Sequence, residues 1–173
     1  TAGLDEVKQI WGIALLNVQA NLPDNLPGQN VTFLLYGDTA VENVTPDMRA
    51  VVVKTGLGST TCTNAPKSAL LLQSLEGSQA TLTINGASIT LGSTIYLTAK
   101  QSQKMEVSTI EGTAVVSSAN VTRIVQPGSK VGIALGGSDG FQVAGPPSEP
   151  EPFDTELIET APVVLLERSV SIP

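Results

Sequence analysis

Between Ala80 and Leu91 apolar and polar residues alternate, broken only at Asn85-Gly86, and the two halves mirror each other across that pair. Asn-Gly accepts the positive φ that a type I′ turn needs at both central residues, so the chain folds back there as a hairpin. Ile84 then faces Ala87, Leu82 faces Ile89 and Ala80 faces Leu91. Thr81, Thr83, Ser88 and Thr90 fall together on the other face. An apolar back marks the side turned to a core. The hydroxyl-bearing front is a candidate binding surface, although an ordinary solvated sheet presents the same chemistry.

The same period extends along most of the chain. Strand-like runs follow Pro27-Gly28 at 31–37, 40–44 and 50–55, then at SALLLQSLEG, STIYLTA, KMEVSTIEG, TAVVSSA, VTRIVQPG and KVGIALGG. Turn signals recur about every eight to twelve residues, the spacing of sandwiches and barrels. Two longer stretches resemble each other. Leu75-Glu76-Gly77 matches Ile110-Glu111-Gly112, Asn85 matches Asn120, and Gly92-Ser93 matches Gly128-Ser129, at offsets of 35 and 36. Such a repeat suits two halves of a jelly roll or successive coils of a short β-solenoid.

The two ends read differently. Leu4, Val7, Trp11, Ala14, Leu15 and Val18 recur at spacings of three and four, which predicts a helix within residues 1–22 lying on the core and stopped by Asn21-Leu22-Pro23. At the other end GPPSEPEP reads as a linker, FDTELIE as one or two helical turns capped by Asp154 or Thr155, and VVLLERSVSI as a segment apolar enough to dock as a closing strand or to belong to whatever follows. The expected organisation is one compact domain over 1–144, with a β body from 31 to 144, and an acidic Pro-rich segment over 145–173. The fold class is mainly β: an antiparallel sandwich, jelly-roll-like, with an N-terminal α-helix, the short solenoid being the alternative.

Composition agrees with the pattern. Aromatic residues make up 3% and charged residues 14%, and Val, Ile, Leu and Ala are interleaved with Thr, Ser and Gly, a mixture suited to pleated strands and tight turns. The net charge of −7 is uneven: residues 145–173 carry six acids against Arg168 alone. No basic surface is available for a phosphate backbone, so nucleic acid is not an expected partner. The longest apolar stretch, near Ile10–Leu16, is too short to span a bilayer.

The sequence has no histidine and only Cys62 as a thiol, which removes the usual base near neutral pH and any tetrahedral zinc site. Gly136-Gly137-Ser138-Asp139-Gly140 fits the letters of a nucleophile elbow, but no histidine can take the serine proton and no helix pattern follows, so it reads as a turn. Gly56-Leu57-Gly58 lacks the third glycine of a dinucleotide loop. Asp139 with Asp38 or Asp47 has no calcium-loop spacing. Glu76 and Glu111 hold equivalent places in the repeat and are the one conceivable carboxylate pair for glycoside hydrolysis. No catalytic residue, metal site or cofactor is expected.

The stretch 87–135 resembles a FecR-type domain. A strand ends in Leu91-Gly92-Ser93, Val107 through Val116 follows the pattern V-x-x-x-E-G-x-A-V-V, and Val125-Gln126-Pro127-Gly128 leads into Val131-Gly132-Ile133. The resemblance implies an all-β, non-catalytic, extracytoplasmic module of the kind found in sigma-factor regulators and bacterial surface proteins. The N-terminal part lies outside that pattern. The expected function is therefore a binding or interaction module of a bacterial surface or sensory protein, with a protein or glycan partner at Thr81, Thr83, Ser88 and Thr90. A structural spacer domain and, more remotely, a carbohydrate-acting enzyme are the alternatives.

Overall fold

The structure is a computed structural model and describes residues 1–2, 5, 7–8, 10–19, 30–46, 48–57 and 67–173. Cys62, Asp47 and the predicted stop at Asn21-Leu22-Pro23 lie outside the described residues.

Strands β1 (Ile13–Gln19), β2 (Asn30–Tyr36), β3 (Thr39–Asn43), β4 (Ala50–Thr55), β5 (Ala69–Ser74), β6 (Ala80–Ile84) and β7 (Ala87–Leu91) are followed by β8 (Thr94–Ala99), β9 (Lys104–Glu111), β10 (Ala114–Ser118), β11 (Val121–Val125) and β12 (Ser129–Gly136). Two short strands, β13 (Gln142–Val143) and β14 (Glu151–Pro152), precede the helix α1 (Thr155–Glu159). One sheet has eight strands, ordered β1-β2-β5-β8-β9-β12-β13 with β14 also on β12. The other has six, ordered β11-β10-β7-β6-β4-β3.

The threading follows a simple rule. Each departure from the eight-stranded sheet is a hairpin in the other sheet, and the chain returns beside the strand it left. β2 gives way to the hairpin β3–β4 and returns as β5; β5 to β6–β7 and β8; β9 to β10–β11 and β12. The three hairpins lie side by side. Pairing is antiparallel throughout except between β4 and β6, which meet in parallel at Ala50↔Thr83 and Val51↔Ile84. The corners are tight. At Gly112 (φ +73°) an added Cβ would stand 2.4 Å from the Ser93 Cβ, so only glycine closes that turn without displacement.

Period-2 alternation places one face of each sheet on a shared core. Phe33, Leu70, Leu72, Leu97, Val107 and Ile133 from one sheet meet Val53, Leu82, Ile84, Ile89, Leu91 and Val116 from the other, all essentially excluded from water. The predicted pairs across the Asn85-Gly86 turn form as expected, with Ile84 opposite Ala87, Leu82 opposite Ile89 and Ala80 opposite Leu91. Both turn residues have positive φ, 54° and 91°.

The predicted N-terminal helix is replaced by a strand. Ile13 to Gln19 pair residue for residue with Tyr36 to Asn30. The run IALLNV satisfies helical and strand spacings alike, and the open edge of β2 offers a seven-residue ladder that outweighs a weak helical preference. Trp11, just before it, packs edge-on against Tyr36 at 5.9 Å.

The segment after Pro152 covers the outer face of the eight-stranded sheet. Phe153, Ile158, Ala161 and Leu166 close over Leu34, Tyr36, Leu71, Tyr96 and Ile110 in a second apolar cluster. Asp154 caps α1 by accepting from the Leu157 N–H at 3.4 Å. Val163–Leu165 makes a 3₁₀ turn, and the rest of the tail bends at 166–168 and joins no sheet, so the closing strand does not form.

Candidate functional site

The structure brings Thr81, Thr83, Ser88 and Thr90 together on the outer face of the six-stranded sheet. Thr81 stands opposite Thr90 and Thr83 opposite Ser88. The Thr81 and Thr90 hydroxyls lie 2.8 Å apart, each able to donate to the other. Long-range pairing extends this face: β10 docks on β7 with Thr90↔Val115 and Ser88↔Ser117, and β11 adds Ile124 and Thr122. Ser117 and Thr122 make the same 2.8 Å hydroxyl pair.

Two rows therefore cross four strands. One reads Thr83, Ser88, Ser117, Thr122; the other reads Thr81, Thr90, Val115, Ile124. Neighbours within a row are about 5 Å apart, the inter-strand spacing of a sheet. None of the eight side chains is charged, and Ile124 is 58% exposed. The sequence reading missed Val115, Ser117, Thr122 and Ile124. The likeness between the two hairpins was the signal for them, but only the β7–β10 pairing joins them to the first.

Beyond Thr83 the face leads into a cleft of about 420 Å³, lined by Val44, Ala50, Val52, Thr83, Gly86 and Val143 among others. The cleft opens because β4 and β6 share only two register pairs. Asn85 bridges the strands beside it. Its side-chain amide accepts from the Val53 N–H at 2.9 Å and donates to the carbonyls of Val53 at 3.0 Å and Phe141 at 2.7 Å. Its backbone N–H donates to Val51, and its carbonyl accepts from Val143. The residue is 2% exposed, and each of these polar groups has a partner.

On the other sheet, the Glu111 carboxylate is engaged by the tail. The Arg168 guanidinium donates to its Oε2 at 2.6 Å and the Ser93 hydroxyl at 3.0 Å. Arg168, and then Ser93, hold the Glu111 carboxyl below the usual range, whereas a general acid needs the opposite shift. Glu76 is exposed and lines a cleft of about 240 Å³ with Gln73, Glu167 and Arg168. Gln73 fixes the Arg168 backbone from both sides, accepting from its N–H and donating to its carbonyl, each at 3.0 Å. These contacts secure the tail to the sheet.

A depressed carboxyl stabilises the fold above its unfolded value of 4.5, and that contribution disappears as pH falls through the lower folded value. Arg168→Ala is therefore expected to destabilise the protein at pH 7, with the difference from the parent shrinking below pH 4.5. Urea denaturation of both proteins across that range checks it. A difference independent of pH would mean that Arg168 acts through packing alone.

The glycine-rich stretch 136–140 ends β12 at Gly136 and bends over 137–140, with Gly137 and Gly140 at positive φ and the Asp139 carboxylate accepting from the Phe141 N–H. Burial pushes the Tyr96 phenol up to about 12 and raises that of Tyr36 as well, so both stay neutral at ordinary pH. Among the described residues no group of three or more His, Cys, Asp or Glu side chains converges as metal ligands would. No described helix is long and apolar enough to cross a membrane.

No protein-family model matches the sequence. A comparison with curated proteins returns no significant match. Among solved structures, the crystal structure of a "putative anti-sigma factor" from Parabacteroides distasonis ATCC 8503 is similar in overall trace, with a TM-score of 0.43 and 13% identity. The likeness covers 87% of this chain and 63% of that one, so this chain spans less than two thirds of that protein's length. It is too loose to bear on function.

Proposed function

We propose that this chain is a non-catalytic binding module and that the outer face of its six-stranded sheet is the contact surface. One observation carries the reading: among the described residues, residues 153–172 cover the outer face of the eight-stranded sheet over β2, β5 and β8, while on the opposite side Thr81, Thr83, Ser88, Thr122 and Ile124 of the two uncharged rows are exposed. A flat surface of hydroxyls and branched apolar groups suits a protein partner. A glycan is the weaker fit, because sugars stack on exposed aromatic rings and no ring here is exposed: Phe33, Tyr36, Tyr96, Phe141 and Phe153 are buried and Trp11 is half-buried. Together with the FecR-type resemblance of 87–135, this favours an extracytoplasmic role in a bacterial surface or sensory protein.

Thr83→Glu combined with Ser117→Glu places two charges in the middle of the bare face without touching the core. The expected result is a loss of partner capture from bacterial envelope extract of about tenfold or more. Stability should change by less than about 1 kcal/mol, as for other surface positions. Equal capture by parent and variant would remove this face from the function. A spacer role is the second reading, and the paired hydroxyls Thr81–Thr90 and Ser117–Thr122 favour it, since they already satisfy one another.

A further inference from the structure

We infer that β1 is a self-pairing edge, through which two copies of this chain join their eight-stranded sheets into one. β1 ends the sheet, and among the described residues nothing pairs with its far side. The Gly37 N–H donates to the Gly12 carbonyl. Backbone polarity alternates along a strand, so Ala14, Leu16 and Val18 also point their amides at β2. The N–H and C=O groups of Ile13, Leu15, Asn17 and Gln19 point outward, a ready template for another strand.

The edge lacks the usual protections. The strand IALLNVQ contains no charge, no proline and no bulge, and its pairing with β2 is unbroken over seven residues. It is also apolar on both faces. Ile13 and Leu15 are 41% and 47% exposed on the outer face. Leu16, on the inner face, pairs with the fully buried Phe33 yet is 44% exposed itself. The inner face of β1 thus overhangs the smaller sheet.

Backbone geometry requires an extended strand as occupant, and the strand's own sequence points to a second copy. Antiparallel pairing about a two-fold axis at Leu16 uses all seven residues, sets Ile13 against Gln19 and Leu15 against Asn17, and brings outward-pointing groups face to face. Leu16 then meets its counterpart across a non-hydrogen-bonded pair, where Cα atoms stand about 4.5 Å apart. Each overhang covers the other. No like charges meet within the strand pair, although each copy carries −7 overall, so added salt should strengthen the association.

The test uses the full chain with Cys62→Ser, so that introduced thiols are the only ones. Leu16→Cys and Leu15→Cys are similarly exposed, but only the first places two thiols opposite each other at disulfide distance. Under mild oxidation Leu16→Cys should form a covalent dimer at least about tenfold faster than Leu15→Cys, whose nearest partner is Asn17 of the other copy. Sedimentation of the parent should show a concentration-dependent dimer that Leu16→Lys abolishes. Leu15→Pro removes an outward donor while leaving the β2 ladder intact, and should do the same. A monomeric parent at every concentration, a dimer that survives both Leu16→Lys and Leu15→Pro, or equal crosslinking at 15 and 16 would each overturn the inference. Circular dichroism on every variant separates loss of pairing from loss of fold.

Discussion

Asn85→Gly is expected to destabilise the protein by about 3 kcal/mol or more, even though glycine is the residue best suited to a φ of 54°. At an ordinary type I′ turn the change would be nearly neutral. Here it strands the Val53 N–H, the Val53 carbonyl and the Phe141 carbonyl, all bonded to the Asn85 amide in a site that is 2% exposed. Each buried group left without a partner costs about 1–3 kcal/mol. Asn85→Asp should be worse, because it keeps the acceptor for Val53 N–H but turns a carboxylate toward two carbonyl oxygens. Asn120→Gly provides the control: Asn120 also has positive φ but is exposed, and should cost little. Chemical denaturation of the three variants decides the matter. If Asn85→Gly fell within about 0.5 kcal/mol of the parent, the amide would be only a turn residue.

Ile158→Ala should cost about 2–4 kcal/mol, the range for removing a buried branched side chain. Ile158 is 1% exposed on α1, packed in the cluster that includes Tyr36, Tyr96 and Leu71. A five-residue helix has no stability of its own, so its position depends on this contact and on the Asp154 cap. The companion change, deletion of residues 153–173, should expose Leu34, Leu71 and Ile110 together and produce strong binding of a hydrophobic dye. It also removes the bonds from Asn17 to Glu167 and from Gln73 to Arg168. A deletion variant that melts with the parent and binds no dye would show that the tail is dispensable. Differential scanning calorimetry and dye fluorescence provide the two readouts.

The β body was legible because its signal is local. Alternation with turn residues places Ile84, Leu82 and Ala80 inside and Thr81, Thr83, Ser88 and Thr90 outside without knowledge of any other strand. β1 was misread because the six residues of IALLNV fit two periods, and the choice between them is made by β2, which lies further along the chain. The tail was legible only in part: the turn in FDTELIE and its Asp154 cap form as expected, but the docking of the segment on the sheet was hidden for a different reason. Its burying residues Phe153, Ile158 and Leu166 follow no period, since an irregular chain on a sheet surface needs none, and its prolines and acids carry the look of a linker. Half of the bare face was likewise hidden, because Val115, Ser117, Thr122 and Ile124 reach it only through the non-local pairing of β7 with β10. Letter matching misaligned the repeat slightly. Asn85 is the first residue of its turn and Asn120 the second, so equivalent positions in the hairpins are 34 apart rather than 35.

The threading rule bears on how such a chain can change length. A hairpin that leaves one sheet and comes back beside its own point of departure is a closed unit. Tandem duplication of it widens both sheets without rethreading any other strand. The stretch from β9 to β12 stands to that from β5 to β8 as such a copy would: same order of strands, same sheets, same turn shape at 119–120 as at 85–86. The two units differ in what their turns do, one holding the buried Asn85 among strands and the other open to solvent. Insertion of a peptide at 119–120 should therefore be accepted, and the same insertion at 85–86 should unfold the protein.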